Sequence, residues 1–97
     1  MKDWEFSPEA KDDLWEIWSY IAADNPSAAD RLETDIYTAC DFLAKNPDLG
    51  HQRRDLTDEH VLFWKVRGWY LVIYQVDSQP LKIIRILHGA RDATAEI

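Results

Sequence analysis

Three histidines, one cysteine and a late run of cations are the side chains best suited to chemistry in this chain of 97 residues. His51 and His60 stand nine apart with no third ligand at a recognisable spacing, so they read as loop histidines and no metal site is expected. Cys40 falls on an apolar helical stripe, where a thiol is buried and inert rather than nucleophilic. No glycine-rich phosphate loop, serine nucleophile elbow or internal repeat occurs, and no cofactor is expected. What remains is Lys65, Arg67 and Arg85 within strand-like segments, and His88 and Arg91 in the tail that follows them. Cations spaced in this way suit recognition of an anionic partner surface.

The elements that must position these residues can be read in order. Trp4 and Phe6 are two apart, the strand period, which predicts a short first strand. Ser7-Pro8-Glu9 is a helix start: Ser7 caps a backbone N–H, Pro8 suits the first helical position and Glu9 suits the positive end of the dipole. Leu14, Ile17, Trp18, Ile21 and Ala22 then mark one stripe of a helix ending near Ala23, with Trp15 beside the stripe and Tyr20 behind it. Asn25 and Pro26 stop this helix and open a second one, so the pair forms an antiparallel hairpin. Ala29, Leu32, Ile36, Ala39, Cys40 and Leu43 are the second apolar stripe, closed by Asn46-Pro47. A polar connection, DLGHQRRDLTDEH, leads to three strands: Val61–Arg67, Trp69–Val76 after a tight turn at Gly68, and Leu81–Leu87 after a turn ending at Pro80. Residues 93–97 carry no clear signal.

Strict alternation sorts the strand residues onto two faces. Leu62, Trp64, Val66, Tyr70, Val72, Tyr74, Val76, Ile84 and Ile86 form an apolar floor for the helices. Val61, Phe63, Lys65, Arg67, Trp69, Leu71, Ile73, Gln75, Leu81, Ile83, Arg85 and Leu87 form the other face, which mixes large apolar groups with three cations. A helix hairpin covers one face only, so the second is expected to stay open as an interaction surface unless residues 93–97 fold back over it. Arg85 lies mid-strand on that face and must be paired or hydrated.

Length allows one small domain, residues 1–97, and 46% apolar residues allow a core. A single cysteine suits a reducing compartment, no signal peptide is visible, and no apolar run nears the roughly 20 residues that span a bilayer; a cytoplasmic location is expected. The net charge of −7 disfavours a generic nucleic-acid binder. It is uneven: residues 1–50 hold four Lys+Arg against twelve Asp+Glu (−8), and residues 51–97 hold seven against six (+1). The acidic helical half is either a solvated face or the dock of a basic partner.

Ser7, Ala10, Asp13-Leu14, Ile17, Tyr20-Ile21, Pro26, Ala29, Ile36, Leu43, Pro47 and Gly50, with the segments Tyr70–Tyr74 (YLVIY) and Ile86–Asp92 (ILHGARD), resemble the pattern of the ParE toxins of bacterial toxin–antitoxin systems. These belong to the wider RelE/ParE superfamily, associated with plasmid stabilisation. The resemblance covers nearly the whole chain, and its specificity lies in the ordered set rather than in any single residue. It implies an α+β fold of β-α-α-β-β-β order, with an antiparallel helix hairpin packed on one face of a small, mainly antiparallel sheet. It also implies a ParD-like antitoxin whose C-terminal segment wraps the toxin, DNA being contacted only through that antitoxin. The expected antitoxin surface is Lys65, Trp69, Leu71, Ile73, Leu81, Ile83 and Arg85, a dock for an amphipathic helix or an added strand, with the acidic first helix taking further contact.

The superfamily divides in activity. ParE members are associated with poisoning DNA gyrase by protein binding, and target contact is then expected at Arg67, Arg85, His88 and Arg91 with no catalytic residue. RelE members cut mRNA on the ribosome, which requires a base for the 2′-OH, an acid for the leaving oxygen and cations for the phosphorane. Lys65, Arg67, Arg85, His88 and Arg91 are the candidates for that chemistry. The second half has only two lysines, no tyrosine follows Tyr74, and the acidic balance opposes docking on ribosomal RNA. Gyrase inhibition is therefore the first expectation; an mRNA endonuclease and a non-toxic, antitoxin-binding relative are the alternatives.

Overall fold

The computed structural model describes residues 3–52, 61–68 and 70–88. Strand β1 (Trp4–Phe6) leads into helix α1 (Pro8–Ala22) and helix α2 (Pro26–Lys45), a 3-10 turn follows over Pro47–Leu49, and strands β2 (Val61–Val66), β3 (Tyr70–Gln75) and β4 (Leu81–His88) complete the chain. The sheet order is β1-β4-β3-β2, with β1 parallel to β4 and the other pairs antiparallel. This is the expected α+β architecture, and it supplies the strand order that alternation could not.

Local chemistry sets the helix boundaries where the sequence placed them. The Ser7 hydroxyl accepts from Ala10 N at 3.0 Å, and Asn25 Oδ1 accepts from Ala28 N at 3.1 Å. Pro8 and Pro26 open the two helices. Ser7 does a second job: it is buried, its N–H donates to Ile83 O at 2.9 Å and its hydroxyl donates to Ile84 O at 2.6 Å. The cap thereby ties the start of α1 to the outer edge of β4. At the β2–β3 turn Arg67 and Gly68 both have positive φ, 58° and 74°. Glycine takes that conformation without penalty, whereas Arg67 is an uncommon residue for it.

The main core lies between the helices and the sheet. Leu14, Leu32, Ile36, Cys40 and Leu43 pack on Leu62, Val66, Val72, Tyr74 and Ile86, with Trp4 at the side. Cys40 is fully buried, as its stripe position implies. Tyr74 is buried too, and its hydroxyl donates to Pro47 O while accepting from Gly50 N at 2.9 Å. These two bonds hold the 3-10 turn against β3. Beyond it His51 and Phe63 exchange backbone bonds of 2.7 and 2.8 Å, extending the pairing past β2.

Two expectations about the sheet are corrected. The β3–β4 register runs Ile73 to Arg85 and then Tyr74 to Ile83, so Ile84 is an extra residue in a bulge. One inserted residue reverses the side-chain parity along the rest of the strand. Leu81 and Ile83 therefore belong to the helix-side core, paired beside Trp4 and Phe6, while Ile84 joins the other face. The second correction concerns that face itself. Val61, Phe63, Leu71, Ile73 and Leu87 form a cluster of their own in which every member is under a tenth exposed, so the face is not an open apolar surface. Side chains this large reach 2–4% exposure only when water is excluded from above them as well as from between them. The alternative in which residues 93–97 fold back lies outside the described residues.

Candidate functional site

Among the described residues, the cations expected to act together do not form one cluster. Arg85 and His88 stand on β4, Lys65 at the end of β2 and Arg67 just after it, and β3 lies between the two strands. Each pair borders its own groove, one between α1 and β4 and the other between α2 and β2. Trp69 and Arg91 lie outside the described residues.

The α1–β4 groove is the more enclosed of the two and has a volume of about 540 Å³. Its position follows from unequal strand lengths. β1 pairs with β4 only over Leu81–Ile83, and α1 then runs past the remaining edge. Ile17, Ile21, Tyr70 and Ile86 supply apolar lining, and Glu16, Tyr20 and His88 stand around them. Tyr70 and His88 meet edge to face, with ring centroids 5.4 Å apart. Tyr20, at the border of the groove, is 72% exposed.

At one end of this groove Asp13 grips Arg85. Its carboxylate accepts from Arg85 Nε at 2.7 Å and from Arg85 Nη2 at 2.9 Å, and also from the Ile86 backbone N–H at 3.0 Å. The two side chains are only 28% and 13% exposed. Arg85 is thus paired, as a mid-strand arginine has to be, and its planar fork is used up in a two-point bond to one carboxylate. The third bond puts a side-chain acceptor where a neighbouring strand would otherwise sit. Sequence reasoning required a partner for Arg85 but did not name Asp13. The signal was present in the helical position of Asp13, one residue before buried Leu14 and so at the margin of the packed stripe.

The α2–β2 groove is shallower. Phe42, 41% exposed, packs against Trp64 with centroids 5.5 Å apart, and the His51 ring stacks on Trp64 at 6.2 Å and 7°. Lys65 and Arg67 are both exposed at its border. Arg67 Nε donates to Asp35 of α2, but with both side chains more than two-fifths exposed this pair is solvent-screened and contributes little. Lys65 and Arg67 are therefore exposed to solvent, whereas Arg85 is committed within the chain. Among the described residues no group of three or more His, Cys, Asp or Glu could hold a metal ion. None of the described helices is long and apolar enough to cross a membrane.

A helix hairpin on a four-stranded mixed sheet, with β1 parallel to the last strand, defines the class as a small α+β domain of β-α-α-β-β-β order. The family model described as the ParE toxin of the type II toxin–antitoxin system, parDE, matches residues 4–93. Toxin RelE2 of Caulobacter vibrioides is 35% identical over 79 residues, covering 81% of this chain and 85% of that protein. A solved structure described as the chromosomal ParDE TA system from P. aeruginosa superimposes with a TM-score of 0.71 at 21% identity, over 88% of this chain and 92% of that one. The chain belongs to the ParE family of type II toxin–antitoxin toxins.

Proposed function

We propose that this chain inhibits DNA gyrase by binding it, and that a ParD-like antitoxin neutralises it and makes whatever DNA contact the complex has. The observation that carries this reading over mRNA cleavage is the pairing of Arg85. A nuclease needs cations converging on one phosphate, with a base and an acid beside them. Here the central candidate is bound through two nitrogens to Asp13. The remaining described candidates, Lys65, Arg67 and His88, divide between two grooves with β3 between them. The net charge of −7 is a poor match for ribosomal RNA as well. Binding to a protein target requires only presented side chains; among the described residues expected to contact gyrase Arg67 is exposed, and Lys65, expected to meet the antitoxin, is exposed near it. Arg85 instead holds α1 to β4, and Arg85 and His88 both border the opposite groove.

The deciding experiment incubates the purified protein with gyrase and supercoiled plasmid. Trapped, cleaved plasmid is the expected result. Loss of mRNA at ribosomal A-site codons with gyrase unaffected would overturn the proposal in favour of the nuclease reading. Expression that is harmless without any antitoxin would overturn it in favour of a relative that only binds its partner.

A further inference from the structure

In the groove between α2 and β2 the charge runs against that of the chain as a whole. The chain carries −7, yet the described lining of this groove holds two cations, Lys65 and Arg67, against one carboxylate, Asp35. Both cations are exposed. Beside them Phe42 packs on Trp64 and the exposed His51 ring stacks on Trp64, so a shelf of rings borders a groove of about 460 Å³.

Arg67 is held there in an unusual way. Its φ of 58° lies in the left-handed region, which a glycine adopts without penalty. A side chain kept at such a backbone cost points to a use for that side chain. Its guanidinium is engaged on one edge, where Nε donates to Asp35 of α2. Among the described residues its two terminal nitrogens have no hydrogen-bond partner. Arg85 differs, since its Nε and Nη2 are both spent on Asp13. Asp35 thus steadies the Arg67 side chain and leaves the outer nitrogens to grip a further anion, for which a carboxylate has the matching geometry.

Three classes of occupant carry such an anion or such a surface. A nucleic acid brings a charge at every phosphate and would meet Asp35 and an acidic chain. A second copy related by a two-fold axis would set this positive patch near itself. An acidic protein segment can place one carboxylate at Arg67 and apolar atoms on the rings, the arrangement of an ordinary protein interface.

We propose that the α2–β2 groove is where the chain holds gyrase, taking an acidic segment of that protein with an Asp or Glu on Arg67 and Lys65 and an apolar side chain on Phe42 and Trp64. This rests on the reading of the chain as a gyrase inhibitor, and it gives that contact a place and a chemistry.

The test measures binding of the intact protein to immobilised gyrase, and cleavage of supercoiled plasmid by the same mixtures. Arg67→Glu is expected to weaken both about tenfold or more, since a carboxylate would then face a carboxylate. Phe42→Ala weakens them too, and Lys11→Glu on α1, the same change of charge elsewhere, leaves them unchanged. Arg67→Gly separates binding from folding: freed of a left-handed side chain, it should melt at the wild-type temperature or above while its gyrase binding falls. Thermal melting checks that Arg67→Glu is folded; should it not be, Arg67→Gly carries the test. Full gyrase binding by a folded Arg67→Glu overturns the groove assignment and leaves the gyrase reading intact. In a parallel titration, a loss confined to the product of the adjacent reading frame would give the groove to the antitoxin and overturn it likewise. Binding of a labelled single-stranded oligonucleotide, or self-association of the wild type, that Arg67→Glu abolishes would assign the groove to nucleic-acid phosphates or to a second copy, again against the proposal. A wild-type chain that binds no gyrase defeats the gyrase reading and the occupant with it.

Discussion

Replacing Asp13 by alanine removes three bonds from one place and should be among the most damaging substitutions on α1. Two of them go to Arg85 and one to the N–H of buried Ile86. Arg85 is 28% exposed and regains water when its partner is lost, so that ion pair contributes about 1 kcal/mol. The Ile86 N–H has no such recourse, and stranding it costs about 1–3 kcal/mol. The sum is about 2–4 kcal/mol, which in a domain of this length lowers the melting temperature by roughly 10–25 °C. Asp13→Asn separates the contributions: its amide oxygen can still accept from Ile86, so only about 1 kcal/mol should be lost. Urea unfolding followed by tryptophan fluorescence measures both variants, provided that the denaturant slope is unchanged. Should Asp13→Ala unfold within about 0.5 kcal/mol of wild type, the pair is not what joins α1 to β4, and the assignment of Arg85 to a structural role fails with it.

Other substitutions probe the remaining joints. A Cβ on Gly50 would overlap the Tyr74 hydroxyl and lie 2.8 Å from Leu62 Cβ, so Gly50→Ala should cost about 1–3 kcal/mol in the same unfolding assay. Burial, with a smaller contribution from Asp48, raises the Tyr74 pKa above its ordinary value of 10.0, against a lowering by its bond from Gly50. The folded state therefore holds the phenolic proton more tightly than the unfolded chain. The associated stability is intact below about pH 10 and is lost as pH rises through the raised value. Alkaline melts should show this slope in the wild type and lose most of it in Tyr74→Phe. Leu71→Asp puts an unpaired carboxylate at a site only 4% exposed and should prevent folding at 37 °C, at a cost of about 4 kcal/mol or more, visible as lost far-UV circular dichroism. A folded Leu71→Asp that merely loses antitoxin would restore the sheet's second face as the docking surface.

Much of this protein is decided by local chemistry and is legible along the chain. Ser7-Pro8 and Asn25-Pro26 state where the helices begin, because each supplies a side-chain acceptor and a residue with no N–H to satisfy. The stripe from Ala29 to Leu43 states which side of α2 is buried, Cys40 included, because helical period and burial are one constraint. The β2 and β3 faces also follow from alternation, since nothing interrupts their register. The ordered set of such residues points to the ParE family, and the family model matches over residues 4–93.

Tertiary structure decided what depends on partners distant in sequence. The bulge at Ile84 moved Leu81 and Ile83 to the helix side, and its requirement is parallel pairing with Trp4 and Phe6, some 77 residues earlier. A strand's own alternation contains no record of an inserted residue. The fate of each cation was likewise a matter of geometry: Arg85 met Asp13 across 72 positions and was neutralised, while Lys65 and Arg67 ended on the other side of β3. Composition counts these charges but cannot pair them. Pairing is what commits Arg85 to α1 and leaves Lys65 and Arg67 exposed.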